Sequence, residues 1–314
     1  MNPEVFAEWL RRQGRHVIRT ESSYWFDQGP RVYQAFPYHW VIQPPENELL
    51  QFLRQTPAMG LRYSTSLDFP IGHISYHAVY EGNSYGFESL GKWARKNVRR
   101  GLKNCSVEPI SFERLFEDGW LLQRDTLDRQ GRELNLTKDI WHKICFSAKD
   151  LPGFEAWGAL IDGGLAASVI TFLMDDCIYM LYQQCYREYL TEHVNNALSF
   201  VVTQSMISRS EVRSILYGLH SLDAPPSVDE FKFRMGYTAK PVRQRVVFNP
   251  WLKPFFNRGS YALIRGLRNF WPGNPTLAKA EGMFRFYLEG RRPLNQQTWP
   301  EVLTKSQSEK ETDA

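Results

Sequence analysis

The sequence predicts an α/β fold of the α+β kind, in which a mixed sheet is flanked by helices. After Cys105 the residue patterns follow the order β-α-α-β-β-β-α-β-α-β. Within that order, the stretch from Cys177 to Tyr237 reads strand, polar turn, helix, strand, loop and short helix. Hydrophobic residues make up 43% of the chain and aromatic residues 14%, which is ample for buried cores. Because α/β sheets usually bind ligands at the C-terminal ends of their strands, we expect the functional site there.

Changes in composition divide the chain into three predicted segments. Residues 1–104 form an N-terminal α+β unit that ends in a basic helix, and residues 105–248 form the main domain. Residues 249–314 form a basic, aromatic, helical extension with a disordered polar tail. The net charge of +4 is too small to identify a nucleic-acid binder, although it suits an anionic substrate. No signal peptide or apolar run of roughly 20 residues is found, so we expect a soluble cytoplasmic protein.

The N-terminal segment contains short elements and one basic helix. The patterns predict a helix over residues 1–13, a hairpin over 23–36, a helix over 46–54, and strands over 61–66 and 74–80. The helix from Ser89 to Asn104 carries six positive side chains with no acid between them: Lys92, Arg95, Lys96, Arg99, Arg100 and Lys103. The basic face of this helix is either an ordinary face exposed to solvent, or it contacts the phosphates of a nucleotide or of an RNA backbone.

Two helices follow the strand over residues 105–110. Ser111 is a suitable N-cap for the first and Thr137 for the second. From the periodicity we expect the first helix to bury Leu115, Phe116, Trp120 and Leu121, and the second to bury Ile140, Trp141 and Ile144. Strands are then predicted over 154–161 and 165–174.

The stretch from Cys177 onward supplies the predicted site. A strand over 177–186 precedes a helix that begins at His193, and a second apolar run covers 212–219. A short helix follows, with Ser227 as its cap and Gly236 at its end. We expect the two strands to lie side by side and parallel before they splay. The last predicted strand covers 239–248.

The extension is amphipathic where it is most aromatic. We expect residues 249–292 to be mainly helical and part of the folded body. From Tyr261 to Trp271, apolar side chains lie on one side of the helix and Arg265, Arg268 and Asn269 on the other. This face either docks on the main domain or makes a peripheral contact with an anionic membrane.

Residues 231–237 carry the most informative phrase, Phe-Lys-Phe-Arg-Met-Gly-Tyr. Together with the element order, it resembles the last helix of the GNAT superfamily of N-acyltransferases. Lys232 stands where many GNAT proteins have a tyrosine, which resembles the Fem-type and CelD/BioF-like branch. The basic helix and residues 192–198 resemble that branch as well. The resemblance covers residues 100–248 well and residues 1–100 loosely.

The resemblance implies transfer of an acyl group from an activated donor to an amine. The Lys232 ammonium would stabilise the oxyanion of a tetrahedral intermediate or neutralise donor phosphate. Asp223 or Asp229 would orient or deprotonate the amine, although Asp229 is also a first-turn residue that the helix dipole favours, and His193 is a further candidate base. Ser221 and His220, near the end of the fifth strand of this domain, would bind the substrate. The remaining candidates would bind the donor: Tyr182, Gln183, Gln184, Arg187, Asn195 and Asn196. Each of these residues has an ordinary structural alternative, such as a sheet position or a solvated helix residue.

The identity of the donor stays open at this point. Many GNAT proteins hold the pyrophosphate of coenzyme A in a Gly-rich loop before the central helix, but this chain has no glycine between Gly164 and Gly218. Three hypotheses remain: an N-acyltransferase that uses acyl-CoA (acetyl-CoA) on a small or cell-envelope amine, a Fem-type transferase that uses aminoacyl-tRNA, and a GNAT-like binding protein without catalysis. We expect no metal site, since no histidine or cysteine cluster has ligand spacing apart from His73 and His77.

Overall fold

The computed structural model describes residues 2–29, 31–130, 137–220, 226–271 and 274–304. Its helices, in chain order, are Pro3–Arg12 (α1), Glu46–Gln55 (α2), Lys92–Asn104 (α3), Phe112–Arg129 (α4), Lys138–Ala148 (α5), Val194–Ile207 (α6), Pro226–Arg234 (α7), Arg258–Phe270 (α8) and Pro275–Glu289 (α9). Its strands are Val17–Arg19 (β1), Tyr24–Asp27 (β2), Val32–Phe36 (β3), Gly60–Thr65 (β4), His73–Tyr80 (β5), Ser106–Ile110 (β6), Phe154–Ile161 (β7), Gly164–Met174 (β8), Cys177–Cys185 (β9), Ser214–Leu219 (β10) and Thr238–Phe248 (β11). The predicted α/β class with a mixed sheet is confirmed.

Contacts group the described residues into two compact units that interleave in the sequence. The first unit lies within Met1–Gly14, Ala78–Gly218 and Pro226–Thr238. The second lies within Arg15–His77, Leu219–Pro225 and Ala239–Ala314. The predicted segments 1–104, 105–248 and 249–314 concern contiguous pieces of chain, and they stay a prediction.

The strands of the first unit follow the order β10-β9-β8-β7-β6. Strands β6 to β9 are paired antiparallel, whereas β10 runs parallel to β9, as predicted. In the parallel pairing of β9 with β10, Cys177 lies opposite Ser214, and the last paired residues are Tyr179 and Leu216. Tyr182 has a φ of +49°, and the register between β8 and β9 shifts at this place. The sheet is therefore regular at the start of β9 and irregular near the end of β9.

Helix α6 packs on this sheet because its sequence is apolar over most of its length. Val194, Leu198 and Val202 are fully buried in a cluster that also contains Val169 and Ile178 of the strands. At 20–33 cal/mol per Å² of apolar surface, side chains of this size each stabilise the fold by about 1.5–3 kcal/mol.

Helix α3 approaches α6 very closely. A Cβ atom on Gly101 would collide with the backbone oxygen of His193 and would lie 3.0 Å from the Cβ of Ala197. Ala94 and Val98 of α3 are buried in the same cluster as α6. Since the apolar side of α3 is used in this contact, its basic side faces solvent.

The second unit has its own hydrophobic cores. Its strands follow the order β1-β2-β3-β4-β11-β5, with β3 and β4 parallel and β4 and β11 antiparallel. One core packs α2 on the strands and contains the buried residues Trp25, Tyr33, Leu49, Phe52, Leu53, Leu61 and Tyr63. A second core packs α9 on β11 through Val246, Phe248, Met283, Phe286 and Tyr287.

Two burial predictions are wrong, since Leu121 is 52% exposed and Ile140 is 36% exposed. Helix α4 buries Leu115 as predicted, and it buries Leu122, seven residues further on the same face, in place of Leu121. Phe116 and Trp120 are half-buried, and α5 buries Trp141 and Ile144 as predicted. The segment after Asn249 is helical as predicted, but only α9 buries apolar side chains well, whereas α8 has no buried residue. Within the described ranges, no helix is long and apolar enough to cross a bilayer.

Gly101→Ala tests the close contact between α3 and α6. We expect the variant to lose roughly 1–3 kcal/mol of unfolding free energy, because the neighbouring atom is backbone and cannot move aside. Gly266→Ala is the matched control in the middle of α8, where a Cβ meets nothing within 4 Å. That control should be neutral or gain up to about 1 kcal/mol. Urea denaturation followed by circular dichroism measures both, and equal midpoints for the two variants would contradict the contact.

Candidate functional site

A buried ion pair lies on α7. Lys232 follows Asp229 by three residues, so both side chains are on the same face of the helix. The Nζ of Lys232 donates to the Oδ1 of Asp229 at 2.6 Å, and each side chain is only 10% exposed. The sequence predicted Lys232 as a site residue, but it placed the ammonium beside Asp223 and Ser221. Both of those residues lie outside the described residues, so their predicted roles stay predictions.

Tyr217 of β10 extends the ion pair into a chain of polar contacts. The Nζ of Lys232 lies 5.5 Å from the centre of the Tyr217 ring, within the range of a cation–π contact. The hydroxyl of Tyr217 donates to the Oε1 of Gln183, and the Nε2 of Gln183 donates to the Oδ1 of Asn195 at 2.7 Å. The contacts thus connect α7, β10, β9 and the first turn of α6, and they unite three residues that the sequence predicted: Lys232, Gln183 and Asn195.

Burial governs the chemistry of this chain. Desolvation raises the pKa of Tyr217 well above its ordinary value of 10.0, so its hydroxyl stays protonated at neutral pH. A lysine ammonium has three hydrogens, of which Asp229 accepts one, and the others can be donated to a substrate oxygen. Gly218 follows Tyr217 with a φ of +155°, and a Cβ there would lie 3.6 Å from the Lys232 Nζ. The glycine keeps the space beside the ammonium open.

His193 lies at the start of α6 and contacts α3. It is the N-cap residue, with a φ of +57° and no capping hydrogen bond from its side chain. Burial, followed by the charge of Arg100, lowers its pKa below the ordinary value of 6.5, so the ring is neutral at pH 7. The charged and polar side chains that act on the His193 ring are those of Arg100, Lys96, Glu192 and Asn196. The role of His193 as a base stays a prediction. None of these four side chains belongs to the ion pair of Lys232 and Asp229.

The other donor-binding candidates lie in different surroundings. Asn196 is buried and donates to the Sδ of Met235 at 3.5 Å. Gln184 is buried, and neither its Oε1 nor its Nε2 has a hydrogen-bond partner within the described part of the chain. The ring of Tyr182 contacts Trp9 and Trp141 edge-on. The donor-binding roles predicted for Asn196, Gln184 and Tyr182 stay predictions.

Arg187 is already paired with acids of α4. Its Nη2 donates to the Oδ2 of Asp128 at 2.8 Å, and its backbone N–H donates to the Oδ2 of Asp125 at 2.7 Å. Glu192, a little further along, accepts from Asn104 and pairs with Arg100. In GNAT proteins this region would bind the pyrophosphate of coenzyme A, but here it carries carboxylates, which repel phosphate.

His220 belongs to the second unit. Its ring stacks on Tyr76 with 4.4 Å between centres, and its Nδ1 lies 3.3 Å from the Oγ of Ser75. The substrate-binding role predicted for His220 stays a prediction.

The exposed side of α3 forms a positive groove. It has a volume of about 890 Å³ and is lined by Lys92, Trp93, Arg95, Lys96, Arg99, Arg100 and Lys103. A second groove of about 550 Å³ lies between the start of α3 and the end of α7, where the guanidinium of Arg234 is 5.0 Å from the centre of the Trp93 ring. None of the residues that line the two grooves is acidic. The two grooves therefore extend from α3 to the end of α7, the helix that carries Lys232, where the charge of Arg234 is balanced by Glu230.

Tyr217 was not predicted as a site residue, and Asp229 was considered only as an alternative to Asp223. Tyr217 stands in an apolar run, where an aromatic residue is normally read as part of the core. Asp229 was interpreted as a first-turn residue that the helix dipole favours, and only the three-residue spacing to Lys232 could have indicated the pair.

Metal and thiol chemistry find no support in the described ranges. No group of histidine, cysteine and acidic side chains there could hold a metal ion. Burial raises the pKa of Cys177 and of Cys185 to about 12, so neither is a thiolate at neutral pH.

Solved structures match this chain in fold. The crystal structure of FemX has a TM-score of 0.56 and 10% identity, over 80% of this chain and 92% of that chain. L-PGS from Bacillus licheniformis has a TM-score of 0.52 and 10% identity, over 79% and 92%. The C-terminal DUF2156 domain of a putative lysylphosphatidylglycerol synthetase from Agrobacterium fabrum has a TM-score of 0.51 and 11% identity, over 77% and 87%. No family model and no curated protein matches the sequence.

At these identities the likeness concerns the fold alone. The likeness to FemX in fold agrees with the predicted resemblance to the fold of Fem-type proteins.

Lys232→Met tests how much the buried ion pair of Lys232 and Asp229 contributes to the free energy of unfolding. The variant keeps the length of the side chain but leaves the Asp229 carboxylate buried without its cation, which should cost about 3 kcal/mol of unfolding free energy. The double variant Lys232→Met/Asp229→Asn removes both charges and should recover at least half of that loss. Arg234→Ala is the control, because the Arg234–Glu230 pair is more than half exposed on the same helix and contributes less than about 1 kcal/mol.

Urea denaturation at pH 7 measures all three variants. If Lys232→Met and Arg234→Ala cost the same, the pair would not be buried in solution.

Proposed function

We propose that this protein is an acyltransferase that moves an acyl group from an activated donor to an amine. The observation that carries the proposal is the buried Lys232 ammonium, held by Asp229 against Tyr217 at the end of β10. In this reaction the amine nitrogen bonds to the carbonyl carbon and the bond from that carbon to the donor's leaving group then breaks. Between these steps the carbonyl oxygen is negatively charged, and a desolvated ammonium stabilises this charge strongly.

Two donors fit this reaction, an acyl-CoA thioester such as acetyl-CoA and an aminoacyl-tRNA. We infer that the aminoacyl-tRNA is the better fit. The carboxylates of Asp125 and Asp128 that contact Arg187 disfavour a pyrophosphate near the start of α6, because they repel its negative charge. The positive side of α3 offers a different phosphate site that is about 20 Å long, since a 13-residue helix rises about 1.5 Å per residue. This length suits a polynucleotide backbone better than a single pyrophosphate.

The solved structures support the same choice. FemX belongs by name to the Fem-type proteins, which the resemblance associates with aminoacyl-tRNA. The name lysylphosphatidylglycerol synthetase describes an enzyme that makes a lysine ester of a phospholipid. The amine acceptor of this chain is proposed only as a class, either a small molecule or a cell-envelope component.

The donor proposal is tested by equilibrium binding of charged tRNA and of acetyl-CoA. We expect charged tRNA to bind with an affinity that falls linearly as the logarithm of the salt concentration rises. Lys96→Ala/Lys103→Ala on α3 should weaken binding roughly tenfold and reduce the magnitude of the salt slope by about 1 to 2, because each lysine releases counterions from a phosphate. Lys143→Ala on α5 is the control, since this lysine is also exposed but lies outside the groove.

Each other outcome of the binding experiment selects a different hypothesis. Binding of acetyl-CoA without tRNA would make the thioester the donor. Binding of neither would favour a GNAT-like binding protein without catalysis.

Turnover tests the role of Lys232. We expect Lys232→Met to lower the rate of labelled acyl release from the bound donor, in the presence of primary amines, about a hundredfold, which is roughly 3 kcal/mol of transition-state stabilisation. The double variant with Asp229→Asn separates catalysis from folding, because it should regain stability but not activity. A double variant as active as the natural protein would show that the ion pair is structural.

A further inference from the structure

The most exposed large apolar side chains of the described residues are concentrated in one short segment of the second unit. They are Trp251 (64%), Phe255 (63%), Leu263 (65%), Phe270 (81%) and Trp271 (60%). Every other large apolar side chain in the described ranges is less exposed than these. Exposure of such side chains to water is unfavourable, and five of them within 21 residues mark an interaction surface.

The packing of α8 explains why its apolar face is left uncovered. The hydroxyl of Tyr261 donates to the Oε1 of Glu281 at 2.8 Å, and the Nη1 of Arg268 donates to the Oε2 of Glu281 at 2.8 Å. These two hydrogen bonds attach the polar side of α8 to α9. Leu263, Leu267 and Phe270 fall at i, i+4 and i+7, on a face about 150° around the helix from that flank.

The charge of this segment is entirely positive. Between Pro250 and Ala280 the sequence has Lys253, Arg258, Arg265, Arg268 and Lys279, and it has no aspartate or glutamate. Arg258 and Arg265 lie roughly opposite Leu263 on α8 and are both exposed. Aromatic and leucine residues on one face with arginine on the other are typical of helices that lie in the interface of an anionic membrane.

We propose that residues 250–271 bind the surface of an anionic lipid bilayer, with the Leu263 and Phe270 face inserted at the level of the headgroups. This site does not depend on the proposed acyl transfer. A bilayer is a better occupant than a second copy of this chain, because a two-fold contact would place the same positive segment against itself. An anionic bilayer also accommodates an apolar helix face and excess positive charge at the same time, because its acyl chains are apolar and its headgroups are negative.

The test is sedimentation of the full chain with sucrose-loaded vesicles. One vesicle is pure phosphatidylcholine, and the other contains about 30% phosphatidylglycerol to supply negative charge. We expect at least five times more protein on the anionic vesicles. In 0.5 M NaCl the bound fraction should fall roughly threefold, because salt screens the attraction between the arginines and the lipid headgroups. Leu263→Ser/Phe270→Ser should lower the bound fraction at least fivefold.

Two variants control for folding and for general hydrophobicity. Leu121→Ser removes a similarly exposed leucine from α4 in the first unit and should bind like the natural protein. Arg265→Glu keeps the apolar face intact, and it should weaken binding to anionic vesicles while leaving the thermal midpoint unchanged.

Three results would overturn the proposal. The first is no sedimentation with either vesicle, and the second is equal binding by Leu263→Ser/Phe270→Ser and the natural protein. The third is a dimer in solution that this double variant converts to a monomer, which would make a second copy the occupant.

Discussion

The close approach of α3 to α6 at Gly101 is the constraint on which the rest of the first unit depends. It is possible only because position 101 has no side chain, and it places a helix with six positive residues directly against the central helix. The contact reaches the N-cap of α6 at His193. It also leaves the basic side of α3 exposed, where that side lines the positive groove.

Much of the fold could be predicted because each element has a strong local signal. The order of strands and helices after Cys105 and the parallel pair β9–β10 follow from apolar runs and turn residues. The errors at Leu121 and Ile140 have a different origin. Periodicity shows that a helix has an apolar face, but it gives the direction of that face only to within about one residue, or 100°. Which side meets the sheet is decided by tertiary packing.

The candidate site could be predicted less completely, since it depends on contacts between distant elements. Lys232 was found because residues 231–237 resemble the last helix of GNAT proteins. Tyr217, by contrast, looks like any aromatic residue of a strand, and its partner Gln183 is 34 positions away. Arg187 was predicted to bind the donor, and this role stays a prediction. Its contacts with Asp125 and Asp128 join positions about 60 residues apart in the chain, which no local pattern indicates.

The hydrogen bond between Tyr217 and Gln183 also has a consequence for selectivity. The amide nitrogen of Gln183 is committed to Asn195, so its oxygen must face Tyr217, and the phenolic proton is used in that bond. What the Tyr217 oxygen still offers is its lone pairs. A ligand group that meets this oxygen must therefore bring a hydrogen of its own, which a primary amine does and a carboxylate does not. In this way the polarity of a buried hydrogen-bond chain would discriminate among acceptors by the direction of their hydrogen bonds.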